Sequence, residues 1–142
     1  LDDPNMQTTE WGTEIYPDGL RRGLIEVTRR YHLPIYITEN GIGVAEDVSQ
    51  GEVQDDYRIA FMKDHIAAIK AAQEAGADVR GYFVWSTFDL YSWKNGCRKR
   101  YGLVAVDFEN GYTRTPKKSY RWYRDFIAGE QTGKPYQEEG QR

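Results

Sequence analysis

Glu39 stands in the stretch "YITENGIG", directly after an apolar β-type run and directly before an Asn-Gly turn. A carboxylate there can do one of two things. It can sit as a solvated turn acid, which is the commoner fate of a strand-end glutamate, or it can be held at the strand end to attack an electrophile or move a proton. A second group lies in "GYFVWSTFDLYSWKNGCRKRYGLVAVDF", where Trp85, Ser92, Trp93, Lys99 and Tyr101 fall within one short segment. Indoles offer flat apolar faces, of use in a core or against the C–H face of a sugar. Serine and tyrosine offer hydroxyls and lysine a cationic donor.

The surrounding pattern says what must position these residues. A helical repeat begins at Asp18, a candidate N-cap, with Leu20, Leu24, Val27 and Tyr31 on one side, and Pro34 closes it. "PIYIT" reads as a short buried strand, because its β-branched and aromatic residues run without alternation. Asn40-Gly41 supplies turn chemistry, and residues 43–52 form a polar loop. A second helix follows, with Tyr57, Phe61, Ile66 and Ile69 near one face, an end near Ala75 and Gly76 at the C-terminal cap. "VRGYFVWS" is a second apolar strand, the stretch to Arg100 is irregular, and "LVAVDF" is a third strand before the turn "ENGY". "KKSYRWYRDFIAG" is a final amphipathic helix, and the polar tail of residues 130–142 is expected to fray.

Helix, strand, loop, helix, strand, loop is the repeating unit of a parallel α/β protein, in which chemistry sits on loops after the carboxyl ends of strands. Glu39 and the segment 86–101 both occupy that place. A closed eight-stranded barrel needs about 250 residues, so a barrel reading makes this chain of 142 residues a part of one. The absence of an initiator Met before "LDDPNMQTTEWG" fits an excised segment.

Composition narrows the partners. A formal net charge of −3 and a pI near 5.4 disfavour a nucleic-acid surface. No apolar run is long enough for a membrane span. The single cysteine, Cys97, rules out an intramolecular disulfide, and His32 and His65 lack zinc-ligand spacing, so no metal is expected.

"YITENG" together with "GYFVWS", "SW", "KRYGL", "VDF" and "PKKS" closely resembles the carboxyl-terminal third of glycoside hydrolase family 1, the β-glucosidase-like (β/α)8 barrels. The resemblance runs from about "TTEWGTEIYPDGL" to the tail helix. It implies an α/β fold, the last two to three βα units of a TIM barrel, with Glu39 as catalytic nucleophile. It also implies that the acid/base glutamate, in an "NEP" motif on an earlier strand, lies outside this chain, since no such motif occurs here. Glu46, Asp47 and Glu52 have no comparable context. Trp85 would be a sugar platform. Ordinary β-glucosidases of the family carry a glutamate where this chain has Ser92. A carboxylate there would repel a sugar 6-phosphate, whereas Ser92 with Lys99 and Tyr101 resembles the phosphate-binding signature of the 6-phospho-β-glycosidases. Trp93 resembles the galacto-type members and could donate to an axial 4-hydroxyl.

The expected substrate is therefore a phosphorylated disaccharide or aryl glycoside, cleaved without cofactor or metal, and the expected compartment is the cytoplasm. The rivals are a plain β-glucosidase or β-galactosidase, and a non-catalytic fragment with a sugar-binding surface. The isolated segment should be inactive without the remaining amino-terminal part of the barrel. Asp89 and Asn95 are expected to fix loops, and Arg98, Arg100, Lys117 and Lys118 to be solvated. Tyr91 and Cys97 receive no role.

Overall fold

The computed structural model describes residues 6–49 and 51–132. Helix α1 spans Pro17–Tyr31, with Pro17 in the first turn and Asp18 just inside it, so the helix starts slightly earlier than the Asp18 cap expected from sequence. A proline loses nothing there, because the first helical N–H groups have no intrahelical acceptor. Strand β1, Ile35–Asn40, follows and carries Glu39 within it. Helix α2, Asp56–Glu74, ends through Gly76, whose φ of +96° permits bonds from Gly76 N–H to the Gln73 carbonyl and from Ala77 N–H to the Ala72 carbonyl, both 2.9 Å. Strand β2, Val79–Val84, pairs parallel with β1, aligning Ile35 with Val79 and Asn40 with Val84.

Helices α1 and α2 cover one face of this strand pair. Leu24, Ile69, Ala72, Ala77 and Val79 form the buried contact, with Leu20, Ile35, Ile37 and Tyr82 packed at its edge. The other face is bare: Tyr36 is 55% exposed and Phe83 57%. Within this chain, helices cover the "PIYIT" strand on one face only. Val27 and Tyr31 of α1, though in phase with Leu24, are exposed.

The irregular stretch after β2 leads to β3, Val104–Val106, and then to β4, Arg114–Pro116, which pairs antiparallel with it. Sequence reading missed β4. Its three residues are polar or proline, and only the turn before it, with Gly111 and Tyr112 both at positive φ, marks the hairpin. Helix α3, Lys118–Thr132, continues past Gly129, and the rest of the expected tail lies outside the described residues. Trp122 of α3 joins Ile42, Ile59, Phe61, Met62 and Leu103 in a second core, which ties the hairpin and α3 to the loop after β1. His65 is a core residue as well: its Nδ1 lies 2.8 Å from the Phe61 carbonyl, and burial lowers its pKa.

Candidate active site

At the carboxyl end of β1, Glu39 is exposed and its carboxylate makes no hydrogen bond or ion pair among the described residues. Its neighbour Asn40 is fixed twice. The Asn40 carbonyl accepts the Trp85 N–H at 2.8 Å, and its side-chain oxygen accepts the Tyr82 hydroxyl at 2.9 Å. Burial pushes the Tyr82 phenol well above its ordinary pKa, so this donor keeps its proton at neutral pH. Gly41 must lack a side chain, because a Cβ there would stand 1.8 Å from the Trp85 carbonyl oxygen. The ends of β1 and β2 are therefore locked together, which brings Glu39 and the partly exposed Trp85 to adjacent strand ends; the Trp85–Ser86 peptide is cis.

The second group of sequence-predicted residues converges on a separate pocket of about 320 Å³, lined by Ser92, Trp93, Lys99 and Tyr101 together with Leu90 and Asn95. Glu39 and Trp85 do not line it. Ser92 and Gly96 exchange backbone hydrogen bonds of 2.9 and 2.8 Å across a tight turn, with Gly96 at φ +61°. The Ser92 hydroxyl oxygen accepts the Asn95 N–H at 3.3 Å, which leaves its own O–H available to a ligand. Lys99 is only 8% exposed and forms no ion pair among the described residues. Its ammonium lies instead between two rings, 5.3 Å from the centroid of Trp11 and 5.4 Å from that of Tyr101. Trp93, at 98% exposure, stands on the rim without a fixed partner among the described residues. No cluster of three or more histidine, cysteine or acidic side chains suited to a metal ion occurs among the described residues.

The two sites are stitched together beyond Glu39. Val44 and Arg100 exchange backbone hydrogen bonds of 3.2 and 2.8 Å, and Gly43 lies against the pocket lysine. A Cβ on Gly43 would stand 2.7 Å from Lys99 Cε and 2.5 Å from Tyr101 Cε1. From α2, Arg58 donates to the carbonyls of Ile42 and Tyr101, holding the loop after β1 and the pocket segment to one guanidinium. Arg58 is itself held by Asp55 at 2.9 Å and Glu46 at 2.6 Å. Lys117 joins Glu46 to Asp89, and Asp89 also binds Arg100 at 2.8 Å and the Gly102 N–H at 2.9 Å.

These contacts correct two sequence expectations. Lys117 is fully buried between two carboxylates, and Arg100 is held by Asp89 and the Val106 carbonyl, so neither is a solvated surface charge. The acids of Lys117 lie far away in sequence, whereas Asp89 is only 11 residues before Arg100 in the same irregular segment. Arg98 and Lys118 are exposed as expected, and Asp89 does fix its loop. The parts played by Trp11, Gly43 and Arg58 were missed, and Glu46 was weighed only as an acid without catalytic context. For Trp11 there was a signal: a large aromatic isolated in the polar run "TTEWGTE".

Comparison with known proteins accords with this architecture. The family model for glycosyl hydrolase family 1 matches residues 1–132. The chain is 46% identical over 128 residues to the aryl-phospho-beta-D-glucosidase BglC of Bacillus subtilis (strain 168), covering 87% of this chain and 27% of that protein. It is 44% identical over 128 residues to a 6-phospho-beta-galactosidase of Streptococcus equi subsp. zooepidemicus (strain MGCS10565), covering 89% of this chain and 27% of that protein. Among solved structures, the beta-glucosidase from Thermotoga maritima in complex with glucoimidazole superposes with a TM-score of 0.84 at 36% identity, covering 89% of this chain and 29% of that one. The chain thus spans little more than a quarter of the length of these relatives. Its paired parallel strands, backed by helices on one face, are part of a (β/α)8 barrel, and the chain belongs to glycosyl hydrolase family 1.

Proposed function

We propose that this chain is the carboxyl-terminal segment of a retaining 6-phospho-β-glycosidase, acting on 6-phospho-β-galactosides, 6-phospho-β-glucosides or both. The observation that carries this reading is the pocket that gathers Ser92, Lys99 and Tyr101, in which a nearly buried lysine has no carboxylate partner among the described residues. An unneutralised ammonium beside two hydroxyls is a receptor for a phosphate dianion. The phosphorylated substrates named for the Bacillus and Streptococcus relatives agree with it.

In the reaction, the Glu39 carboxylate attacks the anomeric carbon, while an acid on another part of the barrel gives its proton to the departing aglycone oxygen. The glycosyl ester that results is cleaved by water, which loses its proton to the same acid/base group. Retention requires the two carboxyl groups to be about 5 Å apart. Trp85 supplies the platform beneath the sugar, and Trp93 on the pocket rim meets the 4-hydroxyl, with some preference for the axial, galacto form. The bare face of β1 and β2, with Tyr36 and Phe83, is where the remaining amino-terminal part of the barrel packs. A phosphorylated sugar substrate implies a cytoplasmic enzyme, in keeping with the lone cysteine.

The test uses the whole enzyme and nitrophenyl β-glycosides with and without a 6-phosphate. A kcat/KM at least roughly a hundredfold higher on the phosphorylated form is expected, equivalent to about two charge-assisted hydrogen bonds, and Glu39→Gln should abolish turnover of both. Preference for the unphosphorylated glycoside would overturn the phosphate assignment. Unchanged turnover in Glu39→Gln would overturn the nucleophile.

A further inference from the structure

The sequence motifs of the pocket do not include Trp11, yet its ring lies 5.3 Å from the Lys99 ammonium, on an amino-terminal turn remote in sequence. That turn is built to hold a shape. The Trp11 and Thr13 N–H groups reach the Thr9 hydroxyl at 3.4 and 3.2 Å, and Gly12, at φ +69°, donates to the Thr9 carbonyl at 2.9 Å. A bridge between Thr8 and Glu14 closes its base. The Glu10 carboxylate accepts the Ala45 N–H, which fastens the turn to the loop after β1, close to Gly43.

We propose that Trp11 is a positioning residue for substrate specificity, acting through Lys99 to set the enzyme's preference for 6-phosphorylated sugars. The inference rests on the phosphate reading of the pocket. A lysine side chain has four rotatable bonds and loses much freedom when it is ordered. A carboxylate partner would order it and cancel its charge toward an incoming anion. An aromatic face attracts the ammonium through its quadrupole and leaves the full charge in place. Trp11 and Tyr101 flank the ammonium, while Gly43 leaves room for the lysine stem. The lysine is thereby held ready before phosphate arrives.

In the whole enzyme, Trp11→Leu should raise KM for nitrophenyl 6-phospho-β-galactoside and 6-phospho-β-glucoside roughly tenfold, as expected for loss of a partly desolvated cation–π contact. The kcat on these substrates, and kcat/KM on the unphosphorylated glycosides, should stay within about twofold. Trp11→Phe keeps a ring with a weaker quadrupole and should fall between the two; it carries the test if Trp11→Leu does not fold. In a Lys99→Met background either Trp11 substitution should leave the phosphate preference unchanged, since the residue through which Trp11 acts is gone. The inference is overturned by a phosphate preference that is undiminished in Trp11→Leu, or in Trp11→Phe where the leucine variant does not fold. Equal losses on both substrate types, or an undiminished effect without Lys99, would overturn it too. Preference in the unsubstituted enzyme is measured first: its absence sinks the phosphate reading itself, whereas its presence with an indifferent Trp11 sinks only this inference.

Discussion

Two buried lysines in this chain have opposite surroundings. Lys117 is fully buried, and its ammonium touches both Glu46 and Asp89, whose other oxygens bind Arg58 and Arg100. Lys99 is 8% exposed, has two aromatic rings and no carboxylate among the described residues, and lines an open pocket. A charge that is neutralised inside a closed network can only hold structure. A charge kept out of water without a counter-ion has something left to bind. The same residue type thus serves as an internal tie in one place and, on the function proposed above, as a receptor in the other, and the difference lies in what its neighbours leave unsatisfied.

The strongest way to break this comparison is to remove the tie. Lys117→Met would leave Glu46 and Asp89 facing each other with one cation fewer, at a cost of about 3–5 kcal/mol in folding stability. Urea unfolding of the whole enzyme, followed by tryptophan fluorescence, measures it. A loss below about 1 kcal/mol, the scale of an exposed ion pair, would mean that the network contributes little, and that burial of Lys117 does not distinguish it from Lys99.

Removing the receptor should do the reverse. Lys99→Met deletes a charge that has no counter-ion among the described residues to strand, so stability should change by less than about 1 kcal/mol. Loss of a charge-assisted hydrogen bond should lower kcat/KM on a 6-phosphorylated glycoside by about 10- to 100-fold and leave the unphosphorylated one nearly unchanged. A destabilisation equal to that of Lys117→Met would erase the distinction between the two lysines. A smaller change sharpens it: Ser92→Glu places a carboxylate in the pocket that Lys99 lines, and should lower activity on phosphorylated glycosides through repulsion while leaving the lysine in place.

These two lysines also mark how far the sequence could be read. The α/β order, both parallel strands, the three helices of the described residues and the place of Glu39 at a strand end follow from local periodicity and turn residues, which a single sequence displays. Lys99 could be singled out because Ser92 and Tyr101 lie near it in the chain, within one segment that makes the pocket. Lys117 could not, because its acids come from residues 46 and 89, and only the folded chain brings them together. Glu46 shows the same limit: in sequence it is one acid among several in a polar loop, and in the structure it joins Arg58 to Lys117. Trp11 and Gly43 act on Lys99 from outside its segment, so no motif centred on the pocket contains them.

Gly43 gives the finest test of the comparison, because it changes the surroundings of Lys99 without touching any charge. The Cβ of Gly43→Ala would meet the Lys99 stem at 2.7 Å and the Tyr101 ring at 2.5 Å. The lysine stem can swing aside at little cost, but the ring is rigid and must shift as a body. Both displacements move donors of the proposed phosphate pocket, so KM for a 6-phosphorylated glycoside should rise about threefold, with kcat on the unphosphorylated form unchanged. The atoms nearest that Cβ belong to Lys99 and Tyr101 and none to Lys117, so the urea midpoint should fall much less than it does for Lys117→Met. If Gly43→Ala instead lowers activity on both glycosides equally, the loop serves Glu39 rather than the phosphate pocket, and the glycine belongs with the strand-end lock that Gly41 makes against Trp85.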